Sequence, residues 1–150
     1  REQYLRPPKI QILPDTQVTP SFYLQDDGVE VLGVARSTGR PALGVKELGS
    51  WRSIYSLAPV LNWRLMQNIA RWAGVHIVCD QGDMLWMSRR FLALYAQSEG
   101  VHTLHFRQPV DVKDAYTGQQ LGVNVTNLDL PMRKWETRLL LLHPKDGREA

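Results

Sequence analysis

The sequence predicts an α+β chain: a partial α/β layer with one main helix, followed by a small all-β sandwich or open barrel. One amphipathic stripe carries the helix. Leu61, Leu65, Ile69 and Trp72 stand at i, i+4, i+8 and i+11 within residues 59–73. A run of short apolar segments carries the β part, from Met84 to Leu142. Turn signals at Glu99-Gly100, Gln108-Pro109, Thr117-Gly118 and Pro131 divide that run, and no helical period interrupts it.

Taken in order, the first twenty residues hold Pro7, Pro8, Pro14 and Pro20. Proline fixes φ and lacks an amide donor, so this stretch reads as an extended lead-in. Ile10, Ile12, Phe22 and Leu24 can dock from it as short strands, and Asp26-Asp27-Gly28 is a turn signal. Residues 29–35, 41–47 and 51–56 read as strands, separated by a turn containing Gly39 and by Gly49-Ser50. Their spacing predicts adjacent antiparallel hairpins. In the helix that follows, Asn62 is the expected N-cap and Gly74 the left-handed residue that ends it, with Arg64 and Arg71 off the stripe. Residues 75–79 then read as a short strand after the helix, an αβ step.

Beyond Gln81-Gly82-Asp83 the expected strands are 84–87, 90–97, 101–106, 110–115, 120–125, 127–130 and 137–142. The expected domains are therefore 1–82 and 83–150, with a polar, frayed tail over 144–150.

Composition narrows the function classes. Hydrophobic residues are 43% of the 150, enough for packed cores and too many for general disorder. The net charge is +3, and the 18 Lys and Arg form no basic block, so no nucleic-acid partner is expected. No apolar run nears the roughly 20 residues that span a bilayer, so no membrane partner is expected either. Cys79 is the single cysteine, which excludes an internal disulfide and leaves the compartment unassigned. The chain opens Arg-Glu-Gln without Met or a signal-peptide core, and reads as part of a longer polypeptide.

Each candidate for chemistry has a plainer reading. Cys79 and His76 would point to opposite faces of a strand, so Cys79 reads as a buried structural thiol rather than a nucleophile. His102 and His105 have the same parity conflict, His143 is remote, and no metal is expected. The pairs Asp80/Asp83 and Asp111/Asp114 fall at turns and strand ends, where Asp caps backbone donors. A glycosidase needs two carboxyls about 5 Å or more apart across a sugar bond in a cleft. With no phosphate loop and no Gly-x-Gly-x-x-Gly, no cofactor is expected. Asn124-Val-Thr126 matches a glycosylation acceptor triplet, a pattern that chance produces often. Of the five tryptophans, Trp72 lies on the helix stripe and reads as core. Trp51, Trp63 and Trp86 are the candidates for an interface or a sugar contact.

The segment VEVLGVARSTGRPALGVKELGSWRSIYSLAP, followed by a helix ending RWAGVHIV, resembles the close of the α/β domain in β-galactosidases of glycoside hydrolase family 42. The segments FLALYAQSEGVHTLHF, VDVKDAYTGQQL and LDLPMRKWETRLLLL are similar to the small β domain that ends such enzymes. The most specific pieces are Asp114-Ala-Tyr-Thr117-Gly118 and Ala73-Gly74-Val75-His76, and the resemblance covers residues 22–142. It implies an amidotransferase-like layer without catalytic residues that serves trimerisation. It also implies two catalytic glutamates on an upstream (β/α)₈ barrel, so no catalytic residue carries over to this chain. The leading expectation is a non-catalytic accessory C-terminal region of a glycoside hydrolase-like protein, serving packing or assembly. Its partner would be the upstream catalytic domain, and a homo-oligomer is allowed. The alternative is a carbohydrate-binding module using exposed tryptophans, and a third reading is an amidotransferase-like enzyme built on Cys79.

Overall fold

The computed structural model describes residues 19–59 and 61–145. They fall into two compact units divided between Ala73 and Gly74. The expectations for Pro7, Pro8, Pro14, Ile10, Ile12 and the last five residues lie outside the described residues. Within them the protein is mostly β: a three-stranded sheet, one short helix and a five-stranded antiparallel sheet.

In the first unit, β1 (Glu30–Val34), β2 (Pro41–Leu48) and β3 (Trp51–Ser56) lie in sequence order and pair antiparallel, as the hairpin spacing predicts. Gly49 takes φ 71° in the two-residue loop between β2 and β3, a position that favours a residue without Cβ. Leu43 and Val45 of β2 are buried on one face. Gly44 faces the other way, where a Cβ would stand 2.6 Å from both Leu24 Cδ1 and Val29 Cγ1. The chain before β1 therefore crosses this face closely. It is fastened by Leu24 N–H to Pro41 O (3.1 Å) and by Tyr55 Oη–H to Phe22 O (2.7 Å).

The helix α1 (Trp63–Trp72) starts later than Pro59 because Asn62 caps it, its Oδ1 accepting from Arg64 N–H at 2.9 Å. Ala73 closes it, and Gly74 follows at φ 78°. Leu65, at the centre of the stripe, is 3% exposed. Ile69 and Trp72 line a cleft with Ile54, which shares a face with Val45, so α1 lies over the Leu43–Val45 face.

Two expectations are corrected here. Residues 75–79 form no strand, and the first unit is an antiparallel sheet with a helix rather than a partial α/β layer. The reason is tertiary. After Gly74 the chain packs Val78 and Cys79 against the core of the second unit. There Val78 O accepts a single backbone bond from His105 N–H (2.7 Å) instead of joining a ladder.

The second unit holds β4 (Met84–Met87), β5 (Phe91–Tyr95), β6 (Gly100–Asp114), β7 (Gln120–Met132) and β8 (Thr137–Pro144), in the order β4-β5-β8-β6-β7. Segments 101–106 and 110–115, expected as two strands, form one. The β6–β7 register shifts between His105 and Val110, and this irregularity takes in Pro109, which has no donor for a regular ladder. Segments 120–125 and 127–130 likewise merge into β7, with Asn124 in the left-handed region at φ 53°. Asn, with Asp and His, is the non-glycine type that most readily enters that region.

β6 pairs with β7 over Gly100–His105 and again, with register shifts, over Val110–Lys113, and with β8 over Val110–Asp114. The long hairpin thus bends so that both halves share one core with β5 and β8. Leu92, Leu94, Leu104, Val112, Leu140 and Leu142 are at most 1% exposed in it. Each such burial contributes about 1.5–3 kcal/mol. β4 and β7 remain edges, so the sheet does not close into a barrel.

Candidate functional site

A buried polar cluster in the second unit is built around Asp83. Asp83 Oδ2 lies 2.5 Å from His102 Nδ1, and both side chains are essentially without solvent exposure. His102 Nε2 donates to Ser98 O (3.1 Å), Gln97 N–H donates to Asp83 Oδ1 (2.9 Å), and Cys79 Sγ donates to Asp83 Oδ2 (3.4 Å). Ser98 O can only accept, so Nε2 is the donor in that contact.

The order in space is Cys79, Asp83, His102. A thiol nucleophile needs its base beside it, and here a carboxylate stands between thiol and imidazole. Burial, then the hydrogen bond to Asp83 and the charges of Asp83 and Asp80, push the Cys79 thiol up to about 11. Cys79 is half-buried rather than fully buried. The other expected partner, His76, turns its Nε2 to His105 O (2.7 Å). The cluster therefore pins the chain after Gly74 to β6, and it is arranged for holding rather than for attack. Asp83, read from sequence as a turn cap, is instead the buried centre of this knot.

The second carboxylate pair does cap. Asp114 Oδ1 accepts from the backbone N–H groups of Thr117 (2.9 Å) and Tyr116 (3.0 Å) and from Thr117 Oγ1 (3.1 Å). Those bonds, led by the one from Thr117 N–H, hold its carboxyl below the usual value. Asp111 accepts from Lys145 Nζ (2.5 Å) and Asn124 N–H (2.8 Å), with the same direction of shift. On β6 the buried residues are all even-numbered, and Asp114 belongs to them whereas Asp111 does not. Among the described residues no group of three or more His, Cys, Asp or Glu could hold a metal ion.

The tryptophans divide between the units. Trp51 is 59% exposed and Trp63 43% in the first, and Trp86 is 61% exposed in the second. Trp51 lines an open cleft of about 630 Å³ together with Glu47, Arg52, Ile54, Ile69 and Trp72. Arg52 Nε donates to Glu47 Oε2 (3.0 Å), and its guanidinium lies 4.9 Å from the centre of the half-buried Trp72 ring. Trp63 lies under the guanidinium of Arg64, 5.2 Å from the ring centre.

Trp86 belongs to a different feature. On β4 and β5, Met84 pairs with Tyr95 and Trp86 with Ala93; on β5 and β8, Ala93 pairs with Leu139 and Phe91 with Leu141. Alternation therefore places Met84, Trp86, Phe91, Tyr95, Leu139 and Leu141 on the outer face of the sheet, with Leu92, Leu94 and Leu140 beneath. Trp135, at φ 69°, stacks its ring on Tyr95 with centroids 5.9 Å apart. Tyr95 and Trp135 were not singled out by sequence reasoning. The available signal was the composition of MLWM, FLALY and LLLL, apolar at both parities where a solvated sheet face alternates.

No family model matches this sequence, and no curated protein matches it. Among solved structures, the fold is similar to part of the crystal structure of the β-galactosidase from Bacillus circulans sp. alkalophilus. The TM-score is 0.50 at 17% identity, covering 78% of this chain and 18% of that one. The chain thus spans under a fifth of the length of the protein it resembles.

Proposed function

We propose that this chain is a non-catalytic accessory region of a larger, glycoside hydrolase-like protein, and that the outer face of β4, β5 and β8 packs against the remainder of that protein. One observation carries the reading. The sheet is apolar on both faces, yet only one face has a core: Met84, Trp86, Phe91 and Leu141 are exposed. A contiguous apolar face of this kind marks an interaction surface. The likeness to a small part of a β-galactosidase supports the choice of occupant, the rest of a longer polypeptide. On this reading residues 83–150 are the closing β domain of that protein. In the second unit Asp83 is bonded to His102 and Asp114 is committed to its turn, which supports a non-catalytic role for these two carboxylates.

Hydroxyl-radical footprinting tests this on the 150-residue chain and on the longer polypeptide that contains it. Met84 and Trp86 should oxidise readily in the former and be protected in the latter. Equal oxidation in both would sink the packing role. Protection that rises with the concentration of the short chain alone would assign the face to a second copy. Hydrolysis of aryl-galactosides by the 150-residue chain, abolished by a substitution within it, would overturn the non-catalytic role.

A further inference from the structure

We propose that the open edge of β4 pairs antiparallel with the β4 edge of a second copy of this chain, joining two five-stranded sheets across a two-fold axis at Trp86. The edge is a different surface from the outer face, so this goes beyond the accessory reading and does not rest on it.

The register fixes which backbone groups are free. Ser88 N–H donates to Phe91 O (2.8 Å), one step beyond the Met87–Leu92 pair. Bonded pairs alternate along an antiparallel ladder, so Met84 and Trp86 turn their N–H and C=O groups to β5. Leu85 and Met87 turn theirs outward, where no backbone group of the described residues meets them. These donors and acceptors stand in a row on a strand of sequence MLWM, which holds neither a charge nor a proline.

The other edge of the sheet is blunted. His105 N–H turns to Val78 O, away from β7, so its cross-strand partner Asn127 faces the open side of β7. Asp129 and Pro131 share that parity. Proline offers no donor there, Asp129 sets a charge on the strand, and Asn124 at φ 53° interrupts the pleat. Native sheets block their edges with such devices, and β4 carries none of them.

The free groups of β4 are self-complementary. With Trp86 opposite its own copy, Leu85 of each strand meets Met87 of the other, and every outward donor and acceptor of the two residues is bonded. Both cores then lie on one side of the joined sheet. The two indoles fall at a pair without backbone bonds, where facing Cα atoms are about 4.5 Å apart and side chains approach most closely. Trp86 is 61% exposed, so its surface is available for this contact. A charged partner segment would find no counter-charge on β4. A neutral apolar strand fits, and a second MLWM is one. So short an edge makes an interface below the roughly 1,200–2,000 Å² of stable complexes, and the dimer is therefore weak, with a Kd on the order of 100 μM.

Sedimentation equilibrium of the 150-residue chain tests this. A monomer–dimer equilibrium should appear as the concentration rises to about 1 mM. Met87→Pro removes an outward donor and leaves the β4–β5 bonds intact, so it should weaken the dimer by about tenfold or more. Trp86→Lys sets like charges face to face and should do the same. Met87→Leu should leave the dimer unchanged. Near-UV dichroism verifies the fold of each variant.

A chain that stays monomeric at about 1 mM overturns the proposal, as does a Met87→Pro or Trp86→Lys variant that folds and dimerises like the parent. If neither variant folds, hydrogen exchange on the parent decides. The amides of Leu85 and Met87 should slow as concentration rises, while that of Asp129 should not. Exchange at Leu85 and Met87 that ignores concentration overturns the pairing, and slow exchange in the monomer would assign the edge to a segment of the same chain. An edge dimer leaves Phe91 and Leu141 open, whereas packing of the outer face covers them. Oxidation of Phe91 therefore reports on the packing alone, and the two readings fail separately.

Discussion

At the scale of single residues, the Cys79–Asp83–His102 arrangement shows how partners decide what a reactive side chain can do. A thiol moved from 9.0 to about 11 is about a hundredfold less ionised at neutral pH, and the thiolate is the attacking species. Thiol reagents should therefore modify native Cys79 at least about a hundredfold more slowly than the denatured chain. Stopped-flow labelling checks this, and rapid stoichiometric modification of the native protein would refute it. Asp114 gives a prediction in pH. Its carboxyl titrates lower in the folded chain than its usual 3.8, because backbone donors hold the charged form. It thus contributes stability that is complete above 3.8 and is lost as pH falls through the lower folded value. Asp26, Asp111 and Glu136 shift the same way, so only a difference between variants isolates the effect. Asp114→Asn keeps an acceptor oxygen and removes the charge. Its stability deficit in urea melts should be largest at neutral pH and shrink below about pH 4. A deficit independent of pH would argue against the capping account.

At the scale of elements, a helix of ten residues is marginal by itself, so α1 depends on what it packs against. Leu65 is nearly inaccessible, and Leu65→Ala should cost about 2–5 kcal/mol. Arg64 stands on the exposed side over Trp63, and Arg64→Ala should change stability by no more than about 0.5 kcal/mol. Denaturant melts of both variants settle the orientation of the helix: a neutral Leu65→Ala would mean that it packs differently. Gly44 makes the complementary point on β2. A methyl there would sit 2.6 Å from Leu24 and Val29, so Gly44→Ala should destabilise by about 1–3 kcal/mol through overpacking. A stability equal to that of the parent would show that the chain before β1 gives way freely.

At the scale of the whole molecule, the two units are unequally supplied with core. Among the described residues the first buries Leu43, Val45 and Leu65 fully, whereas the second buries a dozen apolar side chains in one cluster. Residues 74–150 expressed alone should fold and melt cooperatively, and in the full chain they should unfold after the first unit. Native-state hydrogen exchange would then show its slowest amides in β5, β6 and β8. Protection of equal depth in β2 and β6 would contradict this order. The apolar outer face of the second unit adds a liability. Left uncovered, it should make the isolated fragment prone to association, as exposed apolar surface generally does.

What the sequence by itself determined is local. The stripe of α1 and its Asn62 and Gly74 ends, the loop at Gly49-Ser50, the Asp114–Gly118 turn and the placement of β4, β5 and β8 follow from periodicity and from residues whose own chemistry selects a conformation. Tertiary structure decided the rest. Pro109 and the residues around Asn124 read as breaks between strands, yet the ladders on either side hold β6 and β7 continuous and absorb the irregularities. Residues 75–79 read as a strand because they are apolar, but Val78 and Cys79 pack on a core and β6 beside them gives one backbone bond, His105 N–H to Val78 O, instead of a ladder. The same holds for the sites. The exposure of Trp51 and Trp86 was open from sequence, since an indole serves equally in a core or at a surface. Asp83 looked like a turn cap until His102, nineteen residues away, met it in the interior. Local geometry is written in neighbouring residues; which distant side chains meet depends on how the sheet bends, and a single sequence carries no direct mark of that.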